Sequence, residues 1–84
     1  GSNSFIKDSG TGNLQIQANN LVLENTSGTN YLAAVSGAEV VLYHNGNGKL
    51  TTKTDGVDVT GEVQCDSLDV DGDVDFDGGQ LTFS

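Results

Sequence analysis

Residues 57–67 and 68–78 are two copies of one eleven-residue unit. The first reads Val-Asp-Val-Thr-Gly-Glu-Val-Gln-Cys-Asp-Ser and the second Leu-Asp-Val-Asp-Gly-Asp-Val-Asp-Phe-Asp-Gly. Five of the eleven positions are identical: Asp58/Asp69, Val59/Val70, Gly61/Gly72, Val63/Val74 and Asp66/Asp77. Each unit is apolar-x-apolar, a glycine corner, then apolar-x-apolar. A repeat this short predicts one rung of a β-solenoid or one face of an intertwined β-helix. The short strands before and after the glycine would lie on different faces.

The same period of two runs through the rest of the chain. Leu14 and Ile16 alternate with Gln15 and Gln17, and Leu21 and Leu23 flank Val22. Ala38, Val40 and Leu42 fall on one face, with Glu39, Val41 and Tyr43 on the other. Val57 and Val59, Val63 and Cys65, Leu68 and Val70, Val74 and Phe76, and Leu81 and Phe83 each flank one residue. This is the pattern of short strands with one buried face. No stretch keeps a helical period, so essentially no helix is expected. Ser9-Gly10-Thr11-Gly12, Thr26-Ser27-Gly28, Asn45-Gly46-Asn47-Gly48, Asp55-Gly56 and Gly78-Gly79 punctuate the strands as turns. Residues 26–36 are polar enough to read as a loop, or as a break between two β stretches.

Such strands offer only two inward side chains each, and an isolated two-stranded hairpin is marginal at best. The chain has 84 residues, room for one domain at most. Val, Ile, Leu and Phe total 22, while Gly, Asn, Ser, Thr and Asp total 44. Below about 70–80 residues one core rarely supplies more than about 3–5 kcal/mol. Composition alone leans toward disorder, but the ordered alternation argues for a core shared between chains. Three copies around one axis would close the thin apolar column and remove exposed strand edges. The expected axial core is Leu14, Ile16, Leu21, Leu23, Val40, Leu42, Leu50, Val57, Val59, Val63, Cys65, Leu68, Val70, Val74 and Phe76. The fold expected is therefore all-β: an elongated homotrimeric intertwined β-helix with short strands and Gly/Asn turns. Gly1-Ser2 reads as a tag scar, residues 3–37 as an N-terminal β segment, and residues 38–84 as a β-helical shaft segment.

The order of motifs resembles a family. Ala38-Glu39-Val40-Val41-Leu42-Tyr43-His44-Asn45-Gly46 is followed by Lys49-Leu50-Thr51-Thr52. Then come Thr54-Asp55-Gly56-Val57-Asp58-Val59-Thr60-Gly61-Glu62-Val63 and Leu68-Asp69-Val70-Asp71-Gly72. This series resembles repeats in tail-fibre and spike proteins of tailed bacteriophages, particularly marine ones. Residues 13–24 fit the same pattern more loosely. The resemblance implies a homotrimeric, fibrous, β-helical shaft segment of a virion, with two further copies of the chain and other tail or virion proteins as partners. A host surface receptor would be contacted at the fibre's tip. Bactofilin-like solenoids share the strand–glycine–strand rhythm and are the alternative at family level.

The remaining residue types narrow the chemistry. The net charge is −9 and no Arg is present, which argues against a phosphate-backbone partner such as nucleic acid. No apolar run approaches the roughly 20 residues of a membrane span. One Cys makes no intrachain disulfide. Nine of the twelve acids fall in residues 55–77. Asp73-Val74-Asp75-Phe76-Asp77-Gly78 matches the first half of a calcium loop, but the closing twelfth position, normally a bidentate Glu, is Ser84. A solvated acidic strand face is the alternative to a Ca²⁺ or Mg²⁺ site there. His44 ends a strand, where three copies could converge on a metal or an anion; a core or turn histidine is the plainer reading. Cys65 lies on the apolar face with Val63, in acidic surroundings unsuited to a thiolate. Asn45-Gly46-Asn47-Gly48-Lys49 fails as a phosphate loop, since Tyr43 and Leu50 stand where glycine and a hydroxyl residue belong. The Asn25-Thr26-Ser27 sequon reads as part of a loop. No cofactor is implied and no catalytic residue is expected, because a lone His builds no triad and the sequence builds no pocket around a carboxylate. The function expected is a structural shaft supporting host attachment. The alternatives are a glycan-binding module using Tyr31 and Tyr43, and a Ca-stabilised adhesin or polymer-forming solenoid.

Overall fold

The computed structural model describes residues 1–83. It is all-β among the described residues, with five strands and no helix: β1 (Asn20–Glu24), β2 (Asn30–Val35), β3 (Val40–His44), β4 (Asn47–Lys53) and β5 (Gly56–Val59). They form one antiparallel sheet in the order β1-β2-β3-β4-β5, each strand pairing with its neighbours in sequence. The sheet runs unbroken across residues 37 and 38, because β2 pairs with β3 there.

Turn chemistry sets these pairings. Between β3 and β4 the central residues Asn45 and Gly46 have φ of 51° and 79°. Both being left-handed makes this a type I′ connection, whose twist matches the flanking strands and which Asn-Gly favours. Between β1 and β2, the Asn25 side-chain oxygen accepts hydrogen bonds from the Ser27 and Thr29 amides, each at 2.9 Å. The Asn25 carbonyl accepts from the Gly28 amide at 3.0 Å, and the Asn25 amide donates to the Thr29 carbonyl at 2.9 Å. Between β2 and β3 the Ala38 amide donates to the Val35 carbonyl at 3.0 Å.

The second strand corrects the reading of residues 26–36 as a loop or break. Only residues 25–29 form the turn; Asn30–Val35 is a central part of the sheet. Its Ala33-Ala34 pair carries weak β-propensity on its own, and its place is set by β1 and β3 on either side. The strand β4 has one strongly apolar residue, Leu50. It is held by register with β3 and β5 and by the Val40 amide donating to the Thr52 hydroxyl at 2.9 Å.

Pairing sorts the side chains into rows, because partnered residues share a face and successive residues alternate. Leu23 pairs with Leu32, Leu32 with Leu42, Leu42 with Leu50, and Leu50 with Val59. That row is apolar across all five strands. A second row on the same face runs Leu21, Ala34, Val40, Thr52 and Val57. The opposite face carries the row Val22, Ala33, Val41, Thr51 and Asp58, with Glu24 and Lys53 beside it. Gly48 lies under that face, where an added Cβ would sit 3.1 Å from Val41 Cγ1, so any larger residue would make Val41 shift by a few tenths of an ångström.

Nothing in the single chain closes either face. No described residue is buried. Residues 1–19 and 60–83 hold no strand, and the last ladder contact is the Thr60 amide donating to the Lys49 carbonyl at 2.9 Å. The alternating segments around Leu14 and Ile16, and those from Val63 to Phe83, have no backbone partner strand in the single chain. The radius of gyration is 17.8 Å, against about 12 Å for a compact chain of this length.

Candidate functional site

The fifteen residues expected to form an axial core divide into two groups. Leu21, Leu23, Val40, Leu42, Leu50, Val57 and Val59 all stand on one face of the sheet, in the two apolar rows. Leu32 and Ala34 complete those rows and escaped the sequence reading, though their own i, i+2 spacing was the available signal. The other eight residues (Leu14, Ile16, Val63, Cys65, Leu68, Val70, Val74 and Phe76) lie in the segments before and after the sheet. All eight are exposed, Leu68 at 77%.

An apolar sheet face is the main surface feature. Leu42, at the centre of its row on the central strand, keeps 44% of its surface exposed, and Val57 keeps 61%. Leu50 and Val59 are half-buried by their neighbours in the sheet alone. The whole chain exposes 7974 Å². A compact monomer of 8.7 kDa would expose roughly 4,700 Å². The surplus is roughly 3,300 Å².

The polar candidates stay apart. His44 ends β3 beside the Asn45-Gly46 turn and is exposed, as are Asp73, Asp75 and Asp77. Among the described residues no three His, Cys, Asp or Glu side chains gather into a metal-holding group. The calcium-loop reading also depends on Ser84, which lies outside the described residues. Cys65 is a free, exposed thiol, not a packed one, in the single chain. No helix among the described residues is long and apolar enough to cross a membrane.

Tyr31 and Tyr43 lie on the neighbouring strands β2 and β3, but the β2–β3 pairs end at Leu32 and Leu42, and Tyr31 is the extra residue of a bulge against β1. Tyr43 shares its face with Val41, since its ring edge lies 3.9 Å from a Cβ built on Gly48. Tyr43 therefore stands on the face opposite the leucine row. Tyr31 is 58% exposed. An open depression of about 540 Å³ lies at the other end of the sheet, where the β2–β3 and β4–β5 turns meet. Its lining includes Glu39, Thr52, Lys53 and Asp55.

No protein-family model, curated protein or solved structure matches the chain.

Proposed function

We propose that this chain is a structural segment that works only as part of a self-associated homotrimer, in a fibre or spike shaft of a virion that supports host attachment. Its role is mechanical: it spaces and orients a tip domain and carries load along interchain strands. The observation that carries the self-association is the surplus surface, combined with the absence of any buried residue among the described ones. A chain with ordered strands and no core of its own needs its apolar surface closed from outside. Obligate interfaces bury about 2,000–5,000 Å² or more, so the surplus is of the right size. The virion setting rests on the resemblance of residues 38–72 to phage tail-fibre repeats.

Light scattering on a sizing column at neutral pH, with and without EDTA, tests the assembly. The expected result is three times the chain mass, with an elongated profile. A monomer across the accessible concentration range refutes it. One observation favours a second reading, that of a glycan-binding module: Tyr31 is 58% exposed, and a flat aromatic surface can stack on sugars. Glycan-array binding that vanishes in Tyr31→Ala would favour that reading, and a blank array would remove it.

A further inference from the structure

The two ends of this chain pose different assembly problems. In residues 61–83 the backbone has no partner strand, so closing that part requires strands from other chains. In residues 20–59 the backbone is already paired within the chain, and only side chains remain to be covered. An intertwined β-helix running through both halves would have to undo the five-stranded sheet, losing ladder hydrogen bonds and the type I′ turn.

We infer that the leucine-row face of the sheet packs against the same face of two other copies, each sheet staying within its own chain, to form a three-walled prism about the assembly axis. This rests on the homotrimer reading and changes its architecture: three flat walls over residues 20–59, and shared strands only beyond them. Two observations select a second copy of this chain as the occupant. The row Leu23, Leu32, Leu42, Leu50 and Val59 crosses the whole sheet without a polar break. The two rows contain no charged residue, whereas Glu24, Lys53 and Asp58 project from the opposite face. With −9 on every chain, copies approach one another at least electrostatic cost through uncharged rows such as these; a basic partner would be drawn to the face that carries Asp58.

Leu50 and Thr51 make a matched pair for the test. They are adjacent on β4, both half-buried in the single chain, and on opposite faces. The full chain carrying Cys65→Ser receives either Leu50→Cys or Thr51→Cys. Alkylation by N-ethylmaleimide is followed by mass spectrometry, at concentrations where light scattering reports the mass. Val59→Cys, in the same row, is the second variant should Leu50→Cys fail to fold. Closure of the face predicts that Leu50→Cys and Val59→Cys react about a hundredfold more slowly than Thr51→Cys, because the thiol is reached only through opening of the assembly. Equal rates within a trimer overturn the prism and leave the homotrimer standing. A dimer with protected Leu50→Cys overturns the three-fold arrangement. A monomer removes both readings.

Discussion

Shortening Leu42 to alanine weakens assembly while leaving the sheet intact. Its neighbours on β2 and β4, Leu32 and Leu50, already shield part of the side chain, and 44% of its surface remains open in the single chain. Fully burying a leucine contributes about 1.5–3 kcal/mol, so closing that remainder contributes about 1 kcal/mol per chain. Three copies make this about 3 kcal/mol per trimer, or about a hundredfold in the association constant. The constant has the dimension of concentration squared, so the midpoint of dissociation rises by about tenfold in chain concentration. Sedimentation velocity over a dilution series reads that midpoint. Thr51→Ala, on the opposite face of the next strand, is the control and should leave it unchanged. An unshifted midpoint for Leu42→Ala, or an equal shift in Thr51→Ala, refutes the assignment of the leucine row to the assembly interior.

The turns and the acidic end supply further tests. Gly46→Val places a branched side chain at φ of 79°, with Thr29 Cγ2 3.3 Å from the new Cβ. The left-handed backbone alone costs about 1–2 kcal/mol, visible as a lower melting temperature by circular dichroism. Asn25→Ala removes two exposed side-chain hydrogen bonds in the β1–β2 turn and should cost about 1 kcal/mol in urea denaturation; an unchanged midpoint would show that water replaces them fully. In the proposed homotrimer the acids of residues 55–77 would come together three-fold and repel one another. Raising NaCl from low ionic strength to about 0.15 M, where the Debye length is about 8 Å, should therefore raise the melting temperature. CaCl₂ at matched ionic strength should do no more than NaCl if the acids are a solvated face, and an additional rise marks a cation site.

Much of the sheet was legible in the sequence because its turns carry their own chemistry. Asn45-Gly46 fixes the first β3–β4 pairs, His44 with Asn47 and Tyr43 with Gly48. A bulge at Lys49 that the sequence did not announce shifts the register so that Leu42 meets Leu50. The faces of Val40, Leu42 and Val41 follow from alternation along β3. Leu21, Leu23, Val57 and Val59 were assigned together to an inner face, and the sheet does set them on one side. The second strand was not legible. Ala33 and Ala34 have no strong preference, and Tyr31-Leu32 does not announce a strand without its neighbours on both sides. Asn47–Lys53 was hidden for a similar reason, since one leucine among Gly, Lys and Thr gives no alternation to count. The segments around Leu14 and Leu68 show the converse. Their alternation is plain, yet no strand of the single chain pairs with them.

The neighbour-to-neighbour order of the strands also fixes a sequence of events. Every pairing in the sheet spans a short turn, so loop closure is cheap and each hairpin can form on the microsecond scale. Joining three chains is a collision process, slower and dependent on concentration. A chain leaving the ribosome would thus carry its wall preformed and meet its partners wall to wall. In the proposed trimer the rest of the eleven-residue repeat, beyond the Val57–Val59 part already held in β5, would then zip in register from a common starting point at residue 60. On this route the sheet works as the clamp that aligns three otherwise slippery, self-similar repeats, and a staggered fibre is avoided before the repeats ever touch.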